Sequence, residues 1–369
     1  MNNSILEETI RQILEQAGPE VSFIWQGGEP TLMSLPFFEN VVKLQQKYGR
    51  GQTVGNGLQT NGLLINRAWA KFLSKYKFLI GLSLDGPQHI HDRCRRLRNG
   101  RSSWAQVIDR AKLLLDSDVA VNVLTVLNDY SVQFPEEIYD FLKSLGLTYM
   151  QFIPCLEKDK AVSSQPAPFS ASPKKYGEFL CKVFELWRKD FVEGHPTTSV
   201  RYFDSLFYTY VGLPAPDCTL LDECGVYVVV EHNGDVYACD FFVSPEWRLG
   251  NVMERQLIDL LNSRRQGEFG EEKAALPEAC RQCVWLEKCR GNCPKDRFFH
   301  PLDKGLNYFC ESYKMFLEHA DVELKKLASD WKRHQANLSS KFEQKIRPND
   351  YCLCGSGLKY KNCCGKKPD

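Results

Sequence analysis

Residues 21–30 read Val21-Ser22-Phe23-Ile24-Trp25-Gln26-Gly27-Gly28-Glu29-Pro30, a short apolar run that breaks on paired glycines. The run is too short for a helix and rich in β-branched and aromatic residues, so it reads as a buried strand opening into a loop. The same arrangement recurs downstream. Thr53–Leu58 runs into Gln59-Thr60-Asn61-Gly62, and Phe78–Leu84 into Ser83-Leu84-Asp85-Gly86-Pro87. Val119–Leu127 and Leu147–Ile153 make five candidate strands, separated by amphipathic stretches such as Leu35–Tyr48 and Pro135–Leu145. Strand and helix in alternation give an α/β fold, with a parallel sheet or barrel and helices outside it. A helix over Ser4–Ala17 precedes the first strand, so the array is expected to lack its first strand. In such folds ligands sit at the carboxyl ends of strands. A single glycine-rich end is as readily a tight turn. Three successive ends with polar side chains favour a ligand, and a carboxylate beside the glycines can grip an ammonium group.

Composition narrows the function classes. The chain has 369 residues, 43% hydrophobic and 25% charged, with a net charge of +1, values of an ordinary globular protein of two or three domains. The charge gives no argument for nucleic acid or a membrane surface. The first eighteen residues carry charges between apolar positions at helical spacing, unlike a signal peptide, and no apolar run is long enough to span a bilayer. Many unpaired thiols and no export signal place the chain in a reducing cytoplasm.

Eight of the fifteen cysteines fall between Cys218 and Cys310, as C-x5-C-x14-C, forty residues, then C-x2-C-x5-C-x3-C-x16-C. Eight thiolates suffice for two four-cysteine sites, either iron-sulfur clusters or zinc. Within this cassette Val226–Glu231 and Val236–Cys239 flank Asn233-Gly234, a dipeptide favoured in two-residue hairpins, which puts Cys239 and Asp240 at a strand end. Upstream, Glu157–Pro173 reads as a loop, and helices are expected over Tyr176–Phe191 and Tyr202–Val211. Tyr313, Phe316, Leu317, Ala320, Leu324, Leu327 and Trp331 describe a long amphipathic helix. Beyond a polar linker, Cys352, Cys354, Cys363 and Cys364 form C-x-C-x8-C-C, a compact knuckle suited to zinc, with flanking lysines that read first as a solvated face. The expected domains are a βα barrel over 1–213, a cysteine-rich domain over 214–312, a helix over 313–335, a linker over 336–349 and the knuckle over 350–369.

These motifs resemble known ones. The spacing around Gly234-x4-Cys239 and C-x2-C-x5-C-x3-C is similar to the SPASM domain of radical S-adenosylmethionine enzymes. The three strand ends, Arg201-Tyr202-Phe203-Asp204 and Cys239-Asp240-Phe241 together resemble anaerobic sulfatase-maturating enzymes over about residues 1–330. The tail from Tyr351 to Gly365 resembles the SEC-C zinc motif. The likeness implies a partial six-unit βα barrel, agreeing with five strands and one missing. It implies S-adenosylmethionine across the strand ends, with Gly28, between Gly27 and Glu29, at the methionine end. Ser83 and Arg95 would meet ribose and carboxylate, with Asp85 beside them, and the Leu156 backbone would lie near adenine. It implies two auxiliary 4Fe-4S clusters, one on Cys218, Cys224, Cys239 and Cys293, the other on Cys280, Cys283, Cys289 and Cys310. Asp240 matches the family's proton acceptor; a cap at a hairpin end is its plainer reading. The implied reaction is oxidation of a Cys or Ser of a sulfatase polypeptide to formylglycine, served by an electron donor such as a flavodoxin or ferredoxin. The SEC-C likeness implies contact with export or translation machinery.

The family's C-x3-C-x2-C loop, which holds the cluster that cleaves S-adenosylmethionine, does not occur in these 369 residues. Cys94, Cys155 and Cys181 are too scattered to replace it and read as buried or free thiols. The sequence reading therefore expects a late start or fragment, unable as given to cleave S-adenosylmethionine. It leaves open a non-catalytic cluster-carrying binding or electron-transfer protein, another SPASM peptide-modifying enzyme, and a structural adaptor with zinc at every four-cysteine site.

Overall fold

A computed structural model describes residues 1–369 except 163, 193–194, 300–304, 346–357 and 363–369. Its centre is a six-stranded parallel sheet. β1 (Glu20–Trp25), β2 (Thr53–Thr60), β3 (Leu79–Ser83), β4 (Ala120–Leu127) and β5 (Tyr149–Pro154) follow one another in space. A short hairpin, β6 (Phe191–Val192) and β7 (His195–Pro196), precedes β8 (Ser199–Val200), which pairs parallel to β5 and closes the order β1-β2-β3-β4-β5-β8. α1 (Asn3–Gln16) precedes the sheet, and the crossovers carry α2 (Ser34–Tyr48), α3 (Arg67–Lys75), α4 (Gln88–Cys94), α5 (Trp104–Asp116), α6 (Pro135–Ser144) and α7 (Pro173–Lys189). α8 (Arg201–Val211) follows β8 directly.

The sheet buries one face against these helices. Along β4, Val121, Val123, Thr125 and Leu127 are buried, while Asn122, Leu124 and Val126 between them are half-buried. Period-two alternation in a parallel strand means that the second face is neither fully packed nor fully wet. That face is the concave lining of the barrel. Helix starts are chemically marked. Asn66 caps α3 through its side chain, and Pro135 with Glu136 and Glu137 opens α6, a proline and two carboxylates at the positive end of the helix.

The cysteine-rich segment forms a second layer. β9 (Val229–Val230), β10 (Asp235–Tyr237) and β11 (Arg248–Asn251) make an antiparallel sheet in the order β11-β10-β9, turned at Asn233-Gly234 with Gly234 at φ 88°. α9 (Leu257–Leu261), α10 (Arg264–Ala274), α11 (Glu278–Arg281) and α12 (Leu286–Cys289) follow. Val236, Trp247, Leu260 and Phe269 form its own small core, which also takes in Ile5 of α1. The neighbouring Leu6, Ile10 and Leu14 of α1 lie in the barrel core. Gln12 reinforces this junction, donating to the Val252 carbonyl at 2.9 Å and accepting from the Leu257 amide at 2.7 Å.

α13 (Cys310–Lys345) returns over the barrel and packs on α7 and α8. Phe316, fully buried, stacks on Phe203 at 5.1 Å and meets Phe184 edge-on at 5.6 Å. Burial of one such ring contributes about 1.5–3 kcal/mol and each aromatic pair about 0.5–1.5 more.

Three sequence expectations change. The sixth strand of the sheet is β8, which two residues of periodicity could not reveal. The hairpin has a third strand, β11. The last helix extends to Lys345, into the expected linker 336–349, because Ala336, Leu338, Lys341, Glu343 and Gln344 are strong helix formers whatever their polarity. No helix among the described residues is long and apolar enough to cross a membrane.

Candidate active site

The carboxyl ends of β1, β2 and β3 meet at the mouth of the concave face. Gly27 and Gly28 take left-handed backbone, φ 93° and 55°, and a side chain on either would still find open space, so the turn is what requires glycine here. Glu29 ties the loop to the next strand. Its carboxylate accepts from the Thr31 amide (3.0 Å) and hydroxyl (2.6 Å), the Thr60 hydroxyl (2.7 Å) and the Asn61 amide (2.8 Å). Four donors occupy this carboxylate within the protein.

Ser83, at the end of β3, accepts from Gln59 of β2 at 3.1 Å. Asp85, 4% exposed, accepts from Arg95 Nε at 2.6 Å and from the Val126 amide at 2.9 Å. Buried His91 holds this pair from behind. The Asp85 amide donates to His91 Nδ1 (3.4 Å), His91 Nε2 faces Ser103 Oγ (3.0 Å), and Ser103 donates to the Arg95 carbonyl (2.7 Å). The order of donors makes Nε2 the protonated nitrogen, and burial lowers the His91 pKa, which keeps the ring neutral. Leu156, 9% exposed, lies just past β5. Ser83 and the Asp85–Arg95 pair thus stand at and just past the end of β3, and Gly27 and Gly28 two strands away, past the end of β1.

Asp240 comes over this mouth from the second layer. It accepts from Gln26 Nε2 at 2.9 Å, across 214 positions of sequence, and from Tyr227 Oη at 2.7 Å. Gln26 is the last residue before the glycine pair, so the contact joins the cysteine-rich domain to the barrel where β1 ends. The adjacent Cys239 thiol lies 3.3 Å from Tyr227 Oη. Gln26, Tyr227 and the Cys239 thiol (3.4 Å) all point at this half-buried carboxylate and fix its direction.

The eight cassette cysteines divide into two groups. Cys280, Cys283, Cys289 and Cys310 line one pocket between α11, α12 and α13, with Trp285 and Tyr313. Cys218 is within electrostatic reach of Cys224 and Cys239, and Cys293 of Cys218. Burial pushes Cys218 up to about 11 and Cys289 and Cys293 up to about 12. As bare thiols these three are neutral and inert; a bound cation is what would draw them into thiolates. Among the described residues no three His, Cys, Asp or Glu side chains converge on a single-ion position. Four half-buried thiols around one pocket fit a multi-atom cluster.

The other thiols stand apart. Cys94 is exposed at the end of α4, and burial pushes Cys155 and Cys181 up to about 11. Cys352, Cys354, Cys363 and Cys364 lie outside the described residues. Two contributors carry little sequence signal as site residues. Gln26 reads only as part of its loop. Tyr227 was findable, because a hairpin pairing Tyr237 with Val229 places Tyr227 opposite Cys239.

Comparison with known proteins gives consistent matches. A sequence profile described as the radical SAM superfamily matches residues 2–142, the SPASM iron-sulfur cluster-binding domain matches 223–284, and the SEC-C motif matches 349–366. The serine-type anaerobic sulfatase-maturating enzyme of Bacteroides thetaiotaomicron is 37% identical over 338 residues, covering 86% of this chain and 80% of that protein. The cysteine-type enzyme of Clostridium perfringens is 36% identical over 337 residues, covering 90% of each. A solved structure described as native anSMEcpe with bound AdoMet and Kp18Cys peptide superposes with a TM-score of 0.83 at 36% identity, over 89% of this chain and 91% of that one.

Proposed function

The chain belongs to the anaerobic sulfatase-maturating enzymes, a radical SAM family, and from that premise we propose that it serves oxidation of a sulfatase Cys or Ser to formylglycine, with Asp240 as proton acceptor. The observation that carries the proposal is the placement of Asp240 over the end of β1, held by Gln26 and Tyr227 and directly beside Cys239.

When bound, S-adenosylmethionine supplies the radical that removes a Cβ hydrogen, and 4Fe-4S clusters on the two cysteine groups take the remaining electron. The residues of this chain bind, orient and accept a proton. The Gly27-Gly28 backbone would admit the methionine end, Ser83 and Arg95 would meet ribose and carboxylate, and the Leu156 backbone would lie at adenine. Asp85 would serve by holding Arg95 straight, since both of its oxygens are engaged. Asp240 would take the thiol or hydroxyl proton, because a carboxylate at the strand ends within reach of the target heteroatom is what that step needs. Cys218, Cys224, Cys239 and Cys293 would hold one cluster and Cys280, Cys283, Cys289 and Cys310 the other. No residue among the 369 is assigned to the cluster that cleaves S-adenosylmethionine. The proposal extends to one zinc on Cys352, Cys354, Cys363 and Cys364, to a flavodoxin- or ferredoxin-type donor, and to SEC-C contact with export or translation machinery; spacing and the profile match support the zinc.

The test is anaerobic incubation of the chain, joined at its amino end to a segment carrying a C-x3-C-x2-C loop and reconstituted with iron and sulfide, with S-adenosylmethionine, a reductant and sulfatase peptides bearing Cys or Ser, followed by mass spectrometry and aldehyde trapping. Formylglycine is the expected product. Peptide held without conversion, with clusters present, would overturn the proposal in favour of a cluster-carrying binding protein, and a different modification would favour another SPASM peptide chemistry.

A further inference from the structure

Two cations lie buried between the cysteine groups with no acidic partner within ion-pair distance among the described residues. Lys273, near the end of α10, is fully buried, and its Nζ donates to the carbonyls of Cys218 (2.6 Å) and Thr219 (2.9 Å). Arg297 is 8% exposed; Nη1 donates to the Glu272 carbonyl (3.3 Å) and Nη2 to the Gly291 carbonyl (3.4 Å), while Nε is buried without a partner. Gly291, between Cys289 and Cys293, makes room for it: a Cβ there would stand 2.8 Å from Nη2.

Carbonyl dipoles orient a cation and leave its charge uncompensated, and such a charge is strongly disfavoured away from water. The charges within reach are sulfur. Burial lowers the pKa of both groups, and against it act Cys224, Cys218 and Cys293 at Lys273, and Cys280, Cys224, Cys293 and Cys289 at Arg297. Lys273 therefore faces one cysteine group and Arg297 faces both.

We propose that Lys273 and Arg297 are built-in counter-ions that raise the reduction potentials of the two clusters, Lys273 acting on the Cys218 site alone and Arg297 on both. This rests on reading the cysteine groups as cluster sites. Uptake of one electron makes a cluster one unit more negative, with no bond to protein formed or broken. A positive charge held nearby in low dielectric favours that reduced form. During turnover the electron comes from the substrate-derived radical, so the two residues set how readily each site receives it.

The test is a dithionite titration of the full-length, iron- and sulfide-reconstituted chain, followed by electron paramagnetic resonance. Lys273→Gln is expected to lower one of the two potentials, by at least about tenfold in the reduction equilibrium, which is about 59 mV for one electron. Arg297→Gln is expected to lower both, and Arg297→Lys to restore them. Unshifted potentials at wild-type iron content would overturn the inference. A second readout covers any variant that fails to take up iron. In the metal-free chain a counter-ion without its anion is a burden, so Lys273→Met is expected to raise the urea midpoint, and a lowered midpoint would count against the counter-ion role. Wild-type chain that assembles fewer than two clusters would instead overturn the reading beneath it.

Discussion

Tyr227 Oη donates to Asp240 at 2.7 Å and stands 3.3 Å from Cys239 Sγ, so one phenol touches both the proposed proton acceptor and a proposed cluster ligand. Burial, and then these two neighbours, push the Tyr227 pKa well up, which keeps it a donor. Tyr227→Phe should cut formylglycine formation about ten- to a hundredfold, in line with about 1.5–3 kcal/mol for a hydrogen bond to a charged group. Because the loss is one of orientation, it should fall on kcat with peptide KM unchanged.

Asp240→Asn keeps the shape and the contact with Gln26 and removes the base. Product formation should fall by about 10²–10⁴-fold. Peptide affinity, read by fluorescence anisotropy, should stay within a few-fold, which separates loss of the acceptor from loss of the pocket.

Arg95 is held by Asp85, and the pair is backed by His91 and Ser103. Arg95→Met should weaken S-adenosylmethionine binding about ten- to a hundredfold, about 1.4–2.8 kcal/mol. Asp85→Asn, which loosens Arg95 without removing it, should weaken binding less. Calorimetric titration of each variant checks the order.

Phe316 joins α13 to α7 and α8 through Phe184 and Phe203. Phe316→Ala should cost about 3–5 kcal/mol in urea unfolding, because three surrounding elements are too rigid to close the cavity. Loss below about 1 kcal/mol would mean that α13 does not pack there.

Asp204 titrates against burial. Its carboxyl is pushed up to about 6 from 3.8, chiefly by desolvation, with the Ser199 hydroxyl acting against that shift. A raised carboxyl binds more protons in the folded chain than in the unfolded one, so stability falls as pH rises from about 4 to 6. Asp204→Asn should flatten that limb of the urea-midpoint profile and leave the chain equally or more stable at pH 7.

Much of the scaffold was legible because parallel strands buried on one face keep a dense apolar signature. All five long strands fall within two residues of where their sequence places them, as with β1, read from Val21 and running from Glu20. β8 escaped because two residues carry no period; its identity comes from pairing with Tyr149 and Met150. The candidate site was legible residue by residue and opaque in its joints. Asp240 could be named from its place after Cys239, whereas its contact with Gln26 depends on how two domains dock. Lys273 and Arg297 were invisible for a sharper reason: a lysine in a highly charged helix and an arginine in a loop read as solvated charges until the fold buries them.

α1 has a side in each core, Ile5 in one and Leu6, Ile10 and Leu14 in the other. Mechanically it is a dowel between two plates. A rotation of the cysteine-rich domain away from the barrel would have to draw Ile5 or its neighbours out of apolar surroundings, so the alignment of Asp240 with the end of β1 is held by the same burial that holds the fold together.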